Sequence, residues 1–422
     1  MSGYDVNTGS EQPSVMADQT ISESYKDVCG KHGIRINLFV LENLQKMSTT
    51  RSPCLKLVGN SKQGGCHKLC DDDVFALSKC LHSNRTVTAL DLSYNNVGDR
   101  GAGHLADLLE DSALLYLDLT FNNIGSKGAE LLSICLKANS NLVFLRLSLN
   151  KVGEVGALHL AHMLPVNWSL RVLYLDQCDL DISSLIAFCT SIENNQTLRL
   201  IDLSRPLQLS LQEEWATHFS KMFAVNTSLV ELHLGKMGLT DTGMERLAEG
   251  LKRNHTLRYL DLRCNRVSHD GALYLASVLK EKTAIEILNL SINCIEDVGA
   301  GYLSDAISRP GCVLRELSVC TNNIRTQGLC SLAQALKNNP TLTHLYIWGN
   351  HPKEPACRAF RELISSGRLP PQNTDVESYE QDGHVFLAEA FHGLRKSLYQ
   401  ADGNVTDATV GSASDGAPED QH

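Results

Sequence analysis

The sequence predicts an α/β solenoid: a horseshoe with a concave parallel sheet and convex helices, about ten repeats long, with a cap at each end. Three observations carry this reading. The pattern L-x-x-L-x-L-x-x-N recurs along the chain, its period is nearly constant, and apolar residues at helical spacing follow the copies.

Ten matches place their ninth residue at Asn95, Asn122, Asn150, Cys178, Pro206, Met237, Asn265, Asn293, Asn322 and Asn350. The spacings are 27, 28, 28, 28, 31, 28, 28, 29 and 28 residues. A partial copy around Leu55, Leu57 and Asn60 precedes them as a capping unit. A run this regular implies one elongated body with a continuous core, in place of several globular domains.

One copy, VTALDLSYNNVGDRGAGHLADLLEDS from Val87 to Ser112, displays the logic of the unit. Leu90 and Leu92 alternate with outward residues, as in a strand with one buried face. Asn95 then turns the chain, because its side-chain amide offers donors and an acceptor to backbone groups that no sheet ladder serves. Asn95, Asn122, Asn150, Cys178, Asn265, Asn293, Asn322 and Asn350 are therefore expected to form a structural turn ladder. Leu105, Ala106 and Leu109 mark the inward stripe of the helix. The pairs Gly128-Ala129, Gly156-Ala157, Gly271-Ala272 and Gly299-Ala300 are expected to let helix and strand layers approach closely.

Two units depart from the pattern. The fifth has Pro206 in place of Asn and adds three residues, and the sixth has Met237. This is either a tolerated irregularity or a binding loop around Trp215. The predicted organisation is a disordered tail at 1–33, a capping helix at 34–53, and repeats over 54–365. A cap or extension follows at 366–400, with a helix around Cys357 to Ile364 before it, and then a disordered acidic tail at 401–422. The capping helix should bury Ile36, Leu38, Leu41, Leu44 and Met47. The last segment has five acidic residues and no Lys or Arg, a composition that does not fold alone.

A net charge of -10 argues against direct nucleic-acid binding and against anionic membranes, whose affinity comes mainly from clustered Lys and Arg. A basic or neutral protein partner fits better. No signal-peptide pattern and no membrane span are read in the sequence, so the expected setting is intracellular. The fourteen cysteines recur at positions that hold Ala, Ser or Asn in other copies, and are read as reduced, mostly buried small residues.

Copies such as LRYLDLRCNRVSHDGALYLASVL, from Leu257 to Leu279, resemble the ribonuclease-inhibitor-type subfamily of leucine-rich repeats, over roughly residues 54–365. The closing segments THLYIWGN (343–350) and NTDVESYEQDGHVFLAEAFHGL (373–394) are not generic repeat sequence and resemble the C-terminal end of one family within that class. That resemblance implies a non-enzymatic protein of nucleus, nucleolus and cytoplasm that regulates pluripotency and differentiation in stem and germ cells.

The functional candidates lie on the concave face. The residue between the two central leucines forms a column containing Asp91, Asp118, Arg146, Tyr174, Asp202, His233, Asp261 and Tyr346, and flanking positions add Tyr116, Phe144, Tyr259, Arg263 and Trp348. Aromatic residues and Arg are common interface anchors, and acidic groups among them favour a basic partner. The Asp column has an equally good reading as ordinary repeat grammar. Tyr346 and Trp348, two apart, are expected on the open side of one strand unless the C-terminal extension covers them as a cap.

No catalytic constellation and no cofactor are called for. The stretch Gly59 to Gly65 lacks the closing Gly-Lys-Ser/Thr of a phosphate loop, and Cys66, His67 and Cys70 lack a fourth metal ligand. Six Asn-x-Ser/Thr sites, at Asn84, Asn167, Asn195, Asn226, Asn254 and Asn404, are expected to be unmodified. The primary reading is a non-enzymatic scaffold or adaptor that binds protein through its concave face. The alternative is a GTPase-activating accessory protein of the leucine-rich-repeat type, although no arginine sits in a matching motif.

Overall fold

The computed structural model describes residues 20–60, 68–207, 213–281 and 283–399. Within them each repeat spends three residues on a strand: β1 (Cys54–Lys56), β2 (Ala89–Asp91), β3 (Tyr116–Asp118), β4 (Phe144–Arg146), β5 (Val172–Tyr174), β6 (Leu200–Asp202), β7 (Glu231–His233), β8 (Tyr259–Asp261), β9 (Ile287–Asn289), β10 (Glu316–Ser318) and β11 (His344–Tyr346). All eleven pair in sequence order into one parallel sheet, with the central residues in register from Leu55 and Leu90 through to Leu317 and Leu345. The partial copy is thus a full member of the sheet.

The helices are α1 (Ile21–His32), α2 (Leu38–Thr50), α3 (Asp71–Leu81), α4 (Asp99–Glu110), α5 (Ser126–Leu136), α6 (Gly153–Met163) and α7 (Ile182–Glu193). They continue as α8 (Glu214–Val225), α9 (Asp241–Leu251), α10 (His269–Leu279), α11 (Glu296–Ile307), α12 (Thr326–Asn338) and α13 (Glu354–Ser365). The apolar stripe of each repeat helix closes on the leucines of its strand, so one hydrophobic core runs the length of the stack. Each fully buried Leu in it contributes about 1.5–3 kcal/mol of transfer free energy.

The Asn positions connect successive coils. Asn150 donates to the carbonyls of Leu119 (2.8 Å) and Leu147 (2.9 Å), and its oxygen accepts from the Ile124 amide at 3.0 Å. Asn293 repeats the arrangement with Leu262, Leu290 and Val267, each at 3.0 Å. Cys178 keeps one of these bonds, its thiol donating to the Leu147 carbonyl at 3.0 Å.

The helix layer has two further ladders that pattern reading did not anticipate. Asn167, Asn195, Asn226 and Asn254 are buried, and each donates to a carbonyl at the end of the helix one repeat earlier, as Asn195 does to Leu164 at 2.7 Å. An acidic residue at the start of one helix also receives the first amides of the next. Asp99 accepts from Gly125 (2.6 Å) and Gly128 (2.9 Å), and Asp241 from Ser268 (2.7 Å) and Gly271 (2.9 Å). This corrects the role given to the Gly-Ala pairs. A Cβ on Gly128 would stand 2.7 Å from Asp99 Oδ1 and 3.0 Å from the Ala102 Cβ, so the small residue serves helix-to-helix approach, not helix-to-strand approach.

Both ends differ from the expected organisation. Residues predicted to belong to a disordered tail at 1–33 include α1, whose Thr20 and Glu23 form a reciprocal capping box and whose Tyr25 and Cys29 are fully buried. Residues 1–19 lie outside the described residues. In α2 the buried face is Val40, Leu44 and Met47, with Leu41 partly buried against the core; Ile36 precedes the helix and is exposed, and Leu38, its first residue, is exposed as well. At the other end α13 occupies the expected place and carries an antiparallel hairpin, β12 (Val376–Gln381) and β13 (His384–Glu389). Asp382 and Gly383 turn it with positive φ values of 53° and 79°, as two-residue hairpin loops require. The 401–422 tail lies outside the described residues.

The concave face as candidate partner site

The edge at β11 would leave backbone donors without a next strand to accept them. Asp375, just ahead of β12, fills that role: its carboxylate accepts from the amides of Ile347 (2.8 Å) and Trp348 (3.0 Å) and from the Cys320 thiol (3.0 Å). Burial and then the Asp375 charge push that thiol up to about 12. The C-terminal extension therefore ends the sheet.

It also returns over it. Residues 393–399 cross the strands from β11 back toward β5. Arg395 pairs with Glu316 on β10 at 2.5 Å, and its carbonyl accepts from the Tyr259 hydroxyl on β8 at 2.7 Å. The Leu398 amide donates to Glu231 on β7 at 2.8 Å, Ser397 is within hydrogen-bonding reach of the Tyr174 hydroxyl on β5, and Tyr399 packs on the apolar surface of β2–β6. Three strand spacings of about 4.8 Å separate Glu316 from Glu231, and three extended residues of about 3.3 Å each, with the reach of the Arg395 side chain, cover that distance.

Beneath the strap sits a buried charge cluster. His233 Nε2 lies 2.5 Å from Glu231 and Nδ1 3.2 Å from Asp261, all three nearly inaccessible to solvent. Burial opposes a charge on His233, yet the bonds to Asp261 and Glu231 and the neighbouring Asp202 outweigh it and lift the imidazole to about 10. A protonated His233 aims Glu231 so that one carboxylate oxygen serves the ring and the other serves the strap.

The N-terminal part of the face is held differently. Tyr116 and Phe144 stack at 4.4 Å, Phe144 and Tyr174 are 5.6 Å apart, and the Arg146 guanidinium lies 4.1 Å over Tyr174 and 3.5 Å from Asp118. Burial holds the Asp118 carboxyl above its ordinary value although Arg146 pulls it down.

The structure revises most of the predicted column. Asp91, Asp118, Asp202 and Asp261 each accept the amide two residues on, at 2.9–3.0 Å, so they fold the turn after the strand. Asp118 and Asp261 also pair with Arg146 and His233. Asp118, Asp202, Asp261, Tyr116, Phe144, Tyr174, His233 and Tyr259 are buried, and only Asp91, Arg146, Arg263 and Trp348 remain partly or well exposed. Tyr346 and Trp348 separate: the first is 3% exposed beneath the extension and the second 37%. Period-two alternation names the face of a side chain, but neither the stacking between neighbouring strands nor the returning strap can be read from it. The strap residues themselves were missed, and the basic pair Arg395-Lys396 was their one signal.

The remaining candidates resolve as follows. Trp215 is 1% exposed and packs edge-to-face on Phe219 at 5.8 Å, so it is core and not part of a binding loop. Cys66 and His67 lie outside the described residues. Among the described residues no cluster of His, Cys, Asp and Glu has metal-site geometry, and no helix is long and apolar enough to cross a membrane.

Comparison with known proteins agrees with this architecture. A family model described as "Leucine Rich repeat" matches residues 83–106, 112–133, 138–161, 225–248, 253–276 and 282–304. Among solved structures, an internalin from Listeria monocytogenes aligns at a TM-score of 0.41 and 16% identity, covering 85% of this chain and 95% of that one, too loosely to carry an argument. Leucine-rich repeat-containing protein 34 of Mus musculus is 44% identical over 390 residues, covering 91% of this chain and 94% of the relative. The Homo sapiens protein of that name is 42% identical over 386 residues, covering 90% and 83%. The chain belongs to the leucine-rich repeat-containing protein 34 family.

Proposed function

We propose that this protein is a non-enzymatic scaffold that binds protein through its concave sheet. The observation that carries the reading is that this face already holds a length of polypeptide, engaged through its backbone at Glu231 and Tyr259 and through an arginine at Glu316. The face offers acceptors and aromatic surface to a chain, and the basic character of what occupies it favours a basic protein partner. The arginines nearest the centre, Arg146 and Arg263, are held against Asp118 and Asp261, which gives no support to GTPase activation. By family likeness the setting is nucleus, nucleolus and cytoplasm, in stem and germ cells. Tagged full-length chain followed by imaging tests the location.

The test of function is purification of the full chain with mass spectrometry of its partners, set against the Arg263→Glu, Trp348→Ala variant. Both side chains reach solvent, and because Arg263 also pairs with buried Asp261 at 3.2 Å, an Arg263→Gln, Trp348→Ala variant made alongside separates partner loss from loss of fold. A partner lost by the variant at unchanged melting temperature is the expected result; an identical partner list for both would sink the reading.

A further inference from the structure

The strap is made of the wrong material for a permanent brace. A structural element fills its bed at crystal-like density. Beside this one an open cleft of about 440 Å³ remains, bordered by Glu316, His344, Tyr346 and the strap itself. Arg395 and Lys396 are exposed, Leu394, Leu398 and Tyr399 only half-buried, and no helix or strand forms from 390 to 399. The connector leading into it is open too, with Phe391 97% exposed and His392 and Gly393 exposed, so the strap can lift without disturbing the hairpin.

What it touches, by contrast, is built. Glu231 and Glu316 are almost wholly buried carboxylates on separate strands, and each has an oxygen directed to the strap. Burying an anion is costly without a partner, and Glu231 is oriented by His233 at 2.5 Å. The sheet has been equipped to receive one arginine and, three residues later, one backbone amide, with aromatic surface beyond for a tyrosine.

We propose that the groove over β5–β10 is a binding site for an extended peptide of the pattern Arg-x-Ser-Leu-aromatic, and that residues 394–399 of this chain are its resident stand-in, displaced when such a peptide arrives from another protein. The proposal rests on the concave face being the partner face and names the partner's chemistry there. The occupant must run as extended chain across the strands, present its arginine to Glu316, keep a small hydroxyl residue against Tyr174, and end in an apolar-aromatic pair on the apolar surface that Tyr399 packs against. Because the stand-in is tethered, its effective concentration is on the order of millimolar. A free peptide therefore competes poorly until the strap is weakened.

The test uses full-length protein and a fluorescein-labelled peptide of residues 394–400, Leu-Arg-Lys-Ser-Leu-Tyr-Gln, followed by fluorescence anisotropy. Two independent variants release the strap: Arg395→Glu sets like charges against Glu316, and Ser397→Asp sets one near Glu231. Both should bind the peptide at least tenfold tighter than the unmodified chain does. A peptide with Glu in place of Arg should not bind, and adding Glu316→Gln to Ser397→Asp should weaken capture severalfold. Hydrogen exchange on the same samples should find the Leu398 amide unprotected in both release variants and the repeat amides unchanged.

If the strap amides exchange freely and the peptide still does not bind, the groove is not a peptide site and the proposal falls. Equal binding to released and unmodified chains overturns it as well, because the peptide is then seated elsewhere. Neither result touches the scaffold reading, which depends on whether the Arg263→Glu, Trp348→Ala variant loses its partner.

Discussion

The two halves of the concave face solve one problem in opposite ways. From β2 to β5 the outward residues answer each other: Tyr116, Phe144 and Tyr174 stack, and Arg146 lies over the last ring while pairing with Asp118. From β7 to β10 two buried glutamates face outward and are answered by a chain that arrives from the C-terminus, Glu231 by the Leu398 amide and Glu316 by Arg395. Identical repeat positions thus produce a half whose charges and rings mostly answer one another, touched by the strap only through Ser397 and Tyr399, and a half whose buried glutamates need an occupant. The convex layer is indifferent to this division, because its Asn and Asp ladders run through both.

The largest effect should come from the centre of the incomplete half. His233→Gln leaves Glu231 and Asp261 without their cation, and breaking a buried pair of this kind costs roughly 3–5 kcal/mol. The pH dependence has a definite sign. The folded imidazole titrates near 10, above its unfolded value of about 6.5, so its contribution is complete below the unfolded pKa and is lost as pH rises through about 10. Melting curves of the protein and variant should differ most below about pH 6.5 and converge by about pH 10; a gap of constant size would mean that His233 acts through packing alone.

The turn ladder should ignore the comparison altogether. Asn150→Ala in the complete half and Asn293→Ala in the other each strand buried backbone groups, for about 1–3 kcal/mol apiece. Denaturant midpoints should fall by similar amounts, and a clearly larger loss in one half would show that the ladder is not the uniform element its geometry implies.

Arg146→Ala should cost less, about 1 kcal/mol, since it removes a largely buried stacking and charge contact while Asp118 keeps its bonds from Tyr116 and Thr120. Hydrogen exchange should report the loss around β3–β5 and leave the strap amides protected. Equal loosening of the strap would mean that the halves are coupled through Tyr399.

Cys178→Asn should be the mildest change, within roughly 0.5 kcal/mol, because it restores the ladder residue that other repeats carry at a place where one such bond already exists. A cost on the scale of Asn293→Ala would show that the smaller thiol is required there.

Much of this molecule was legible from period alone. A leucine every two or three residues, a polar turn and an amphipathic helix can satisfy their burial and hydrogen bonding only by stacking on a copy of themselves, which makes strand order, register and the turn ladder local consequences of the repeat. The capping box of Thr20 and Glu23 and the Asp382-Gly383 turn were also present as signals, but in segments whose polar composition hid them.

What composition and spacing could not supply is how segments far apart in the chain meet. Arg395 and Glu316 are 79 positions apart and Leu398 and Glu231 are 167, and no periodic rule relates them. The sequence by itself determined the solenoid, because neighbour-to-neighbour burial repeats every 28 residues or so. Only the tertiary structure decided which part of the concave face is open, because that depends on where a non-repeating strap comes to rest.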